Sequence, residues 1–278
     1  MHIRLKAQPS ISLITCTNSK IKILRLIESL KRQNVKINLY VLNFSRLNFE
    51  IRHLSSKNLK IQLVKKTKYS LSKARNFFLS KIKSNIVGFP DDDCLYPRGL
   101  LRDVIRNYDN RQKKCIGCCY KFHGGPLKNK KKVFQKDIFG NCISFNFFLF
   151  NKKGLRFNES LGLGAKYNFG EESELLLRQL KDGHYLQKNN KLSIYHPKPI
   201  KEKFHHYFSQ GLGIIGFLKT CKRKKLKLSY LAKLKLLTGS FIKMLYYFAT
   251  NKRRLFINNL GICAGKLSGF INHYEYKP

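Results

Sequence analysis

Acidic side chains are scarce in this chain of 278 residues, 15 Asp and Glu against 56 Lys and Arg, so the places where they gather are informative. Asp91, Asp92 and Asp93 stand together in FPDDDCLYP, directly after the apolar run Ile86–Phe89. Adjacent carboxylates repel one another unless a cation or solvent compensates them. Two of them, one residue apart at a strand end, can point the same way and hold a hard divalent ion through oxygen, with positions left open for substrate phosphates. The plain alternative is a solvated acidic turn capping a helix that starts near Pro97. A second group, Glu171, Glu172 and Glu174, opens the helical run GEESELLL. Carboxylates at a helix N-terminus complement its dipole; a carboxylate at a loop edge can also act as a general base. Both readings stay open. His196, before Pro197, is either a metal ligand or a hydrogen-bonded strand end. Cys115-x-x-Cys118, with Cys119 and His123, has the spacing of half a zinc site, but no second CxxC exists. Buried strand thiols are the better reading.

These groups need elements to position them. Ile11–Cys16, Ile37–Leu42, Leu59–Val64 and Ile86–Phe89 are short apolar runs that read as buried strands. Helical spacing of Ile21, Leu24, Leu26, Ile27 and Leu30, and a helix over Leu71–Ile82 capped by Ser70 or Ser72, alternate with them. That alternation predicts an α/β domain with a mostly parallel sheet flanked by helices, in which ligands bind beyond the carboxyl ends of the strands. Cys115–Phe122, Cys142–Phe150 and Leu192–Tyr195 read as further strands. The stretch Gly124–Lys136 and the glycines 162, 164 and 170 mark loops, and Glu171–Lys181 is a helix ending at Gly183. From Glu202 onward the chain reads as helical and basic, with a boundary near residue 200.

The net charge of +41 points to anionic partners: nucleic acid, anionic lipid or a phosphorylated small molecule. It also fits a chain written in A+T-rich codons with Lys as the default surface residue, so charge alone does not choose. Hydrophobic residues make up 43%, which excludes a mainly disordered chain. The N-terminus MHIRLKAQPSISL has no secretory pattern, and the eight cysteines lie mostly in apolar runs; together they predict a reducing, cytoplasmic setting. No apolar window is long enough to span a bilayer.

Residues from about 10 to 200 resemble a family 2 glycosyltransferase of the GT-A fold. The resemblance rests on four pieces in the family's order: ISLITCTNSK, SLSKARNFFLSKIKSNIVGFPDDDCLYP, FNESLGLGAKYNFGEESELLLRQLKDG and LSIYHP. It implies a metal-dependent, inverting transfer from a nucleoside-diphosphate sugar to a hydroxyl, with Mn2+ or Mg2+ as cofactor. Carried over by position, Asp91 and Asp93 match the DxD acids, Asp91 at the ribose or the metal's water shell and Asp93 on the metal, with Asp92 between them. Glu172 matches the base and Glu171 the residue orienting sugar or acceptor. Thr17 and Asn18 fall in the nucleotide loop, Arg75 and Asn76 match helix residues facing the nucleotide, and His196 matches a metal-binding position of some relatives. One departure concerns the Asp usual after the second strand, which is Asn43 here.

Residues 201–278 are expected to form a basic helical appendage. Lys222–Lys225 and Lys252–Arg254 flank a stretch mixing Leu, Ile and Phe with Lys, the pattern of helices that lie on an anionic membrane surface. A peripheral place on the inner membrane face would suit a lipid-linked or cell-surface glycan acceptor. Packing on the catalytic domain is the alternative. Two other functions compete with sugar transfer. A nucleic-acid-binding protein suits the charge but lacks a recognised motif, so nucleic acid is not the expected partner. A non-catalytic relative would explain Asn43.

Overall fold

Side chains of a strand alternate between the two faces of its sheet, and here the apolar runs divide that way between two cores. The computed structural model describes residues 9–46, 48–108, 114–122, 147–150, 155–197 and 204–271. Strands β1 (Ile11–Thr17), β2 (Ile37–Asn43), β3 (Leu59–Lys65) and β4 (Ile86–Gly88) are parallel, β1 lying between β2 and β4. Ile11, Leu13, Leu39, Val41 and Ile86 face one core, which Ile23, Leu26, Ile27 and Leu30 of α1 (Lys20–Lys31) and Leu100, Leu101 and Val104 of α3 (Leu100–Arg106) complete. Ile14, Tyr40, Leu42 and Val87 face the other, against Ala74 and Phe78 of α2 (Leu71–Leu79) and Leu175 and Leu176 of α4 (Glu171–Lys181). Strands buried on both faces need the near-continuous apolar runs that the sequence shows.

The sheet is completed by β5 (Lys114–Phe122), β6 (Phe147–Phe150) and β7 (Tyr185–His196), in the order β3-β2-β1-β4-β6-β5-β7. β6 runs antiparallel to β4 and β5, and β7 runs parallel to β5. The architecture is therefore the mostly parallel α/β sheet with helices on both faces that the alternation predicts.

Several boundaries differ. β7 begins at Tyr185 rather than Leu192, because an edge strand tolerates the polar stretch Gln187–Lys191. α2 stops at Leu79; the Lys81 and Ile82 amides then bond to the Phe78 carbonyl, and that turn brings Ile82 into the core. In α1 the apolar Ile21 is exposed, and Ile23 packs inward instead. The stretch Gly124–Lys136 and His123 lie outside the described residues, as do the side chains of Cys115, Cys118 and Cys119.

Three helices follow: α5 (Phe204–Arg223), α6 (Tyr230–Ala249) and α7 (Arg253–Ile271). The boundary expected near residue 200 falls at residues outside the described set. α5 is bound to the α/β body: Phe217, Ile214 and Cys221 share a core with Leu161 and Leu177. α7 packs on α5 and α6. At the α5–α7 crossing a Cβ added to Gly265 would lie 2.0 Å from the Phe208 carbonyl oxygen, so the two backbones touch there.

Candidate active site

The ends of β2, β1 and β4 lie side by side, and each brings one candidate to the same edge of the sheet. Thr17 and Asn43 are register partners at the ends of β1 and β2. Asp91–Asp93 follow β4 after Pro90. The Thr17 hydroxyl accepts from the Ser19 amide at 3.0 Å and donates to Asp92 Oδ2 at 2.6 Å. That bond ties the loop after β1 to the acid triplet. Burial raises the Asp92 carboxyl above its ordinary value, the Thr17 bond opposing it. Asn43 is buried, and its Oδ1 accepts from the Ser45 amide at 2.7 Å, closing the turn after β2. Asn18 is exposed beyond the strand end.

His196 arrives from the last residue of β7. Its Nε2 lies 3.4 Å from Asp91 Oδ2 and 3.4 Å from Asp93 Oδ1. Nδ1 is 2.7 Å from the Pro197 carbonyl, an acceptor only, so Nδ1 carries a proton. A backbone carbonyl on one ring nitrogen is the usual device that aims the other at a metal. The hydrogen bond to Asp91, against the effect of burial, pushes the imidazole pKa up to about 9. Asp91, Asp93, Cys94 and His196 each place a ligand atom within 4.8 Å of the others. Two carboxylates and an imidazole suit a borderline divalent ion such as Mn2+. The sequence offers no separate reading of Cys94. Its place in this cluster had no signal beyond following the acids, because the turn after Asp93 decides it. A cleft of about 930 Å³ opens beside the cluster, with Asp93 and His196 on its wall and Arg25, Arg32 and Arg98 around it.

The second acidic group separates into two roles. Gly170, at φ 87°, starts α4 without a side-chain cap and lets Phe217 pack where a Cβ would stand, 2.7 Å away. This turn buries Glu171 and Glu172. Arg75 meets both, its Nη1 3.0 Å from Glu172 Oε1 and 3.9 Å from Glu171 Oε1. Phe89 and Phe157 flank the guanidinium, with ring centroids 5.7 Å and 5.0 Å from Cζ. Burial raises both glutamates, Glu172 well above the usual range with help from Glu171, while Arg75 pulls the other way. Glu174 is structural. Burial would raise it, but bonds from Arg178 at 3.1 Å and Lys224 at 2.8 Å hold it below its ordinary value.

Two of the expected nucleotide-facing residues are held by protein partners. Arg75, expected to face the nucleotide, is 2% exposed and its charge is committed to the acid pair. Asn76, expected there too, donates to the Phe157 carbonyl at 3.0 Å and to Glu159 at 2.9 Å and accepts from the Phe157 amide at 2.7 Å. Both side chains of α2 therefore turn towards the 155–172 segment, because the helix packs its buried face on that loop. Nearby, Ser72 donates to the Leu161 carbonyl at 2.6 Å, and a Cβ on Gly162 would meet the Glu171 carboxyl at 2.9 Å. The loop 161–168 thus lies over the acid pair. Between it and the start of α5 is a cleft of about 360 Å³ bordered by Lys166, Asn168, His206 and Ser209.

A mostly parallel sheet with a cluster able to hold a metal ion at its carboxyl edge and an acid pair beside it is the arrangement of a glycosyltransferase of the GT-A fold, and the comparisons with known proteins agree. Residues 12–170 match the family described as glycosyl transferase family 2, and the chain belongs to that family. The structure is similar to the mannosyltransferase PcManGT from Pyrobaculum calidifontis, solved with GDP-Man and Mn2+. The match covers 97% of this chain and 89% of that one, with a TM-score of 0.71 and 13% identity. It is also similar to S. aureus TarS 1-349 in complex with UDP-GlcNAc, over 96% and 93% of the two chains, with a TM-score of 0.56 and 16% identity. No curated protein sequence matches significantly.

Proposed function

We propose that this glycosyltransferase moves a sugar from a nucleoside-diphosphate donor to an acceptor hydroxyl in one inverting, metal-dependent step. One observation carries the reading: the cluster Asp91–Asp93–His196 and the buried pair Glu171–Glu172 lie near enough that the charge of Asp91 acts on both glutamates and on the Arg75 guanidinium paired with them.

The roles follow from chemistry. Asp91, Asp93 and His196 would hold Mn2+ or Mg2+, which when bound neutralises charge gathering on the diphosphate leaving group. Thr17, Asn18, Asn43 and Asp92 form the edge against which the nucleoside would lie. Glu172 accepts the acceptor's proton as its oxygen bonds to the sugar carbon and the diphosphate departs from the opposite face. A carboxylate raised by burial is a stronger base than an exposed one. Arg75 positions Glu172 and limits that rise. Glu171, under the 161–168 loop, orients sugar or acceptor, and the cleft beside that loop is a route for the acceptor. We take the acceptor to be a lipid-linked or cell-surface glycan and place the enzyme in the cytoplasm, at the inner membrane face.

The test is calorimetric titration of UDP, GDP, CDP and ADP with and without Mn2+. Metal-dependent binding of one nucleotide, lost in Asp93→Asn, is expected and names the donor class. A folded protein that binds none of them would sink the reading.

A further inference from the structure

α5 buries its apolar side chains in the catalytic body, but α6 and α7 do the reverse. Of the exposed large apolar side chains among the described residues, all but Ile21 and Leu163 lie between Phe204 and Ile271. On α6 they form one stripe: Tyr230, Leu234, Leu237, Phe241, Leu245 and Phe248 recur at intervals of three and four residues, so they share a helix face. Each of them is at least 36% exposed, whereas the opposite face buries Ala232, Leu236 and Ser240. α7 repeats the pattern with Ile257, Leu260, Leu267 and Ile271 exposed.

Packing explains how this is possible. α7 turns its glycines 261, 265 and 269 towards α5, where added Cβ atoms would lie 3.1 Å from Tyr207 Cβ, 2.0 Å from the Phe208 carbonyl and 3.1 Å from Ile215 Cβ. Backbone packs on backbone, as small residues permit, and the large side chains are left outside. Lys266 stays between the helices, its Nζ donating to Ser240 Oγ at 2.6 Å and to the Leu237 carbonyl at 3.1 Å.

We propose that the outward stripes of α6 and α7 dock this enzyme on an anionic lipid bilayer, with both helices lying in the interface. Charge selects that occupant. Between Phe204 and Ile271 there are thirteen Lys and Arg and no Asp or Glu. Lys233 and Lys235 flank the α6 stripe, and Lys252, Arg253 and Arg254 sit at the α6–α7 turn. A second copy would bring the same charge against this surface; acidic headgroups complement it, and acyl chains cover the stripe. No helix among the described residues is long and apolar enough to cross a membrane, so the helices lie on the bilayer rather than through it.

The chain contains no Trp, so Leu245→Trp in the full-length protein supplies a single reporter. With vesicles of equal phosphatidylcholine and phosphatidylglycerol, the emission is expected to shift to the blue and to be quenched by lipids brominated on the acyl chain. Phosphatidylcholine alone binds less, and salt weakens the anionic component. Adding Phe241→Asp lowers partitioning by roughly tenfold or more. Circular dichroism matching the parent establishes that the variants are folded. Two results overturn the proposal. One is water-like emission with both vesicle types from a folded protein. The other is a blue shift before lipid is added, dependent on protein concentration and accompanied by dimer mass in light scattering, which assigns the stripe to a second copy. Nucleotide is absent from the assay, so its outcome is independent of the proposed transfer reaction.

Discussion

Glu172→Gln isolates the proposed base with little other disturbance. Glu172 is 8% exposed, and its Oε1 accepts from Arg75 Nη1 at 3.0 Å. Gln keeps the volume, and its amide oxygen still accepts that bond. Arg75 retains Glu171 at 3.9 Å, so no buried cation is left without a counter-charge. The substitution also removes a carboxylate that burial and Glu171 both disfavour. Folding stability should therefore change by about 1 kcal/mol or less, a Tm shift of about 2–4 °C. The chemistry loses far more: kcat falls by about 10²–10⁴-fold, or about 2.7–5.5 kcal/mol of barrier height. The assay is release of nucleoside diphosphate under saturating donor, with calorimetric nucleotide affinity and thermal melting as controls. A variant within a few-fold of the parent kcat would refute the assignment. So would a loss of kcat matched by an equal loss of nucleotide affinity and a large fall in Tm. Arg75→Met offers the contrast, since it strands two buried carboxylates and should cost about 3–5 kcal/mol of stability.

Three further outcomes follow from the same geometry. Burial, then Glu171, hold Glu172 well above the usual glutamate range, so its basic form is lost as pH falls through that raised value. The acid limb of kcat/KM should lie above that of an ordinary glutamate and vanish in Glu172→Gln. Stability carries the opposite sign: the contribution is full below the ordinary value and is lost as pH rises through the raised one, visible in melts of parent against variant. His196, raised to about 9 chiefly by Asp91, is protonated at neutral pH. Mn2+ binding should therefore release a proton and tighten as pH rises towards that value. His196→Ala should abolish the release and weaken Mn2+ by roughly tenfold or more, as read by calorimetry in two buffers. Gly265→Val puts a side chain where 2.0 Å separates a Cβ from the Phe208 carbonyl oxygen. It should cost about 1–3 kcal/mol, seen as faster hydrogen exchange in α5–α7 with nucleotide affinity kept.

The sequence by itself determined the ladder of β1 to β4, because strands buried on both faces must be apolar runs and their ends must carry the polar groups. It likewise determined the helix Glu171–Lys181, which begins and ends at those residues in the structure, and the closing turn at Gly183 (φ 83°). The acid triplet and the acid pair were legible because carboxylates are rare in so basic a chain.

What the side chains do there was decided by tertiary structure. Arg75 and Asn76 occupy α2, and only the packing of that helix on the 155–172 segment shows that they brace the acid pair and its loop. Glu171, Glu172 and Glu174 look alike in a row, yet Arg75 meets the first two while Arg178 and Lys224 meet the third, partners distant in sequence except for Arg178. Cys94 joins Asp91, Asp93 and His196 only because β7 returns beside β4's following turn, where the Leu95 and Tyr195 amides each bond the other's carbonyl. The apolar stripe of α6 is periodic in the sequence, and periodicity identifies a face without saying what covers it. That needed the glycine-lined crossing of α5 and α7, which spends backbone rather than side chains on packing and leaves the stripe outside.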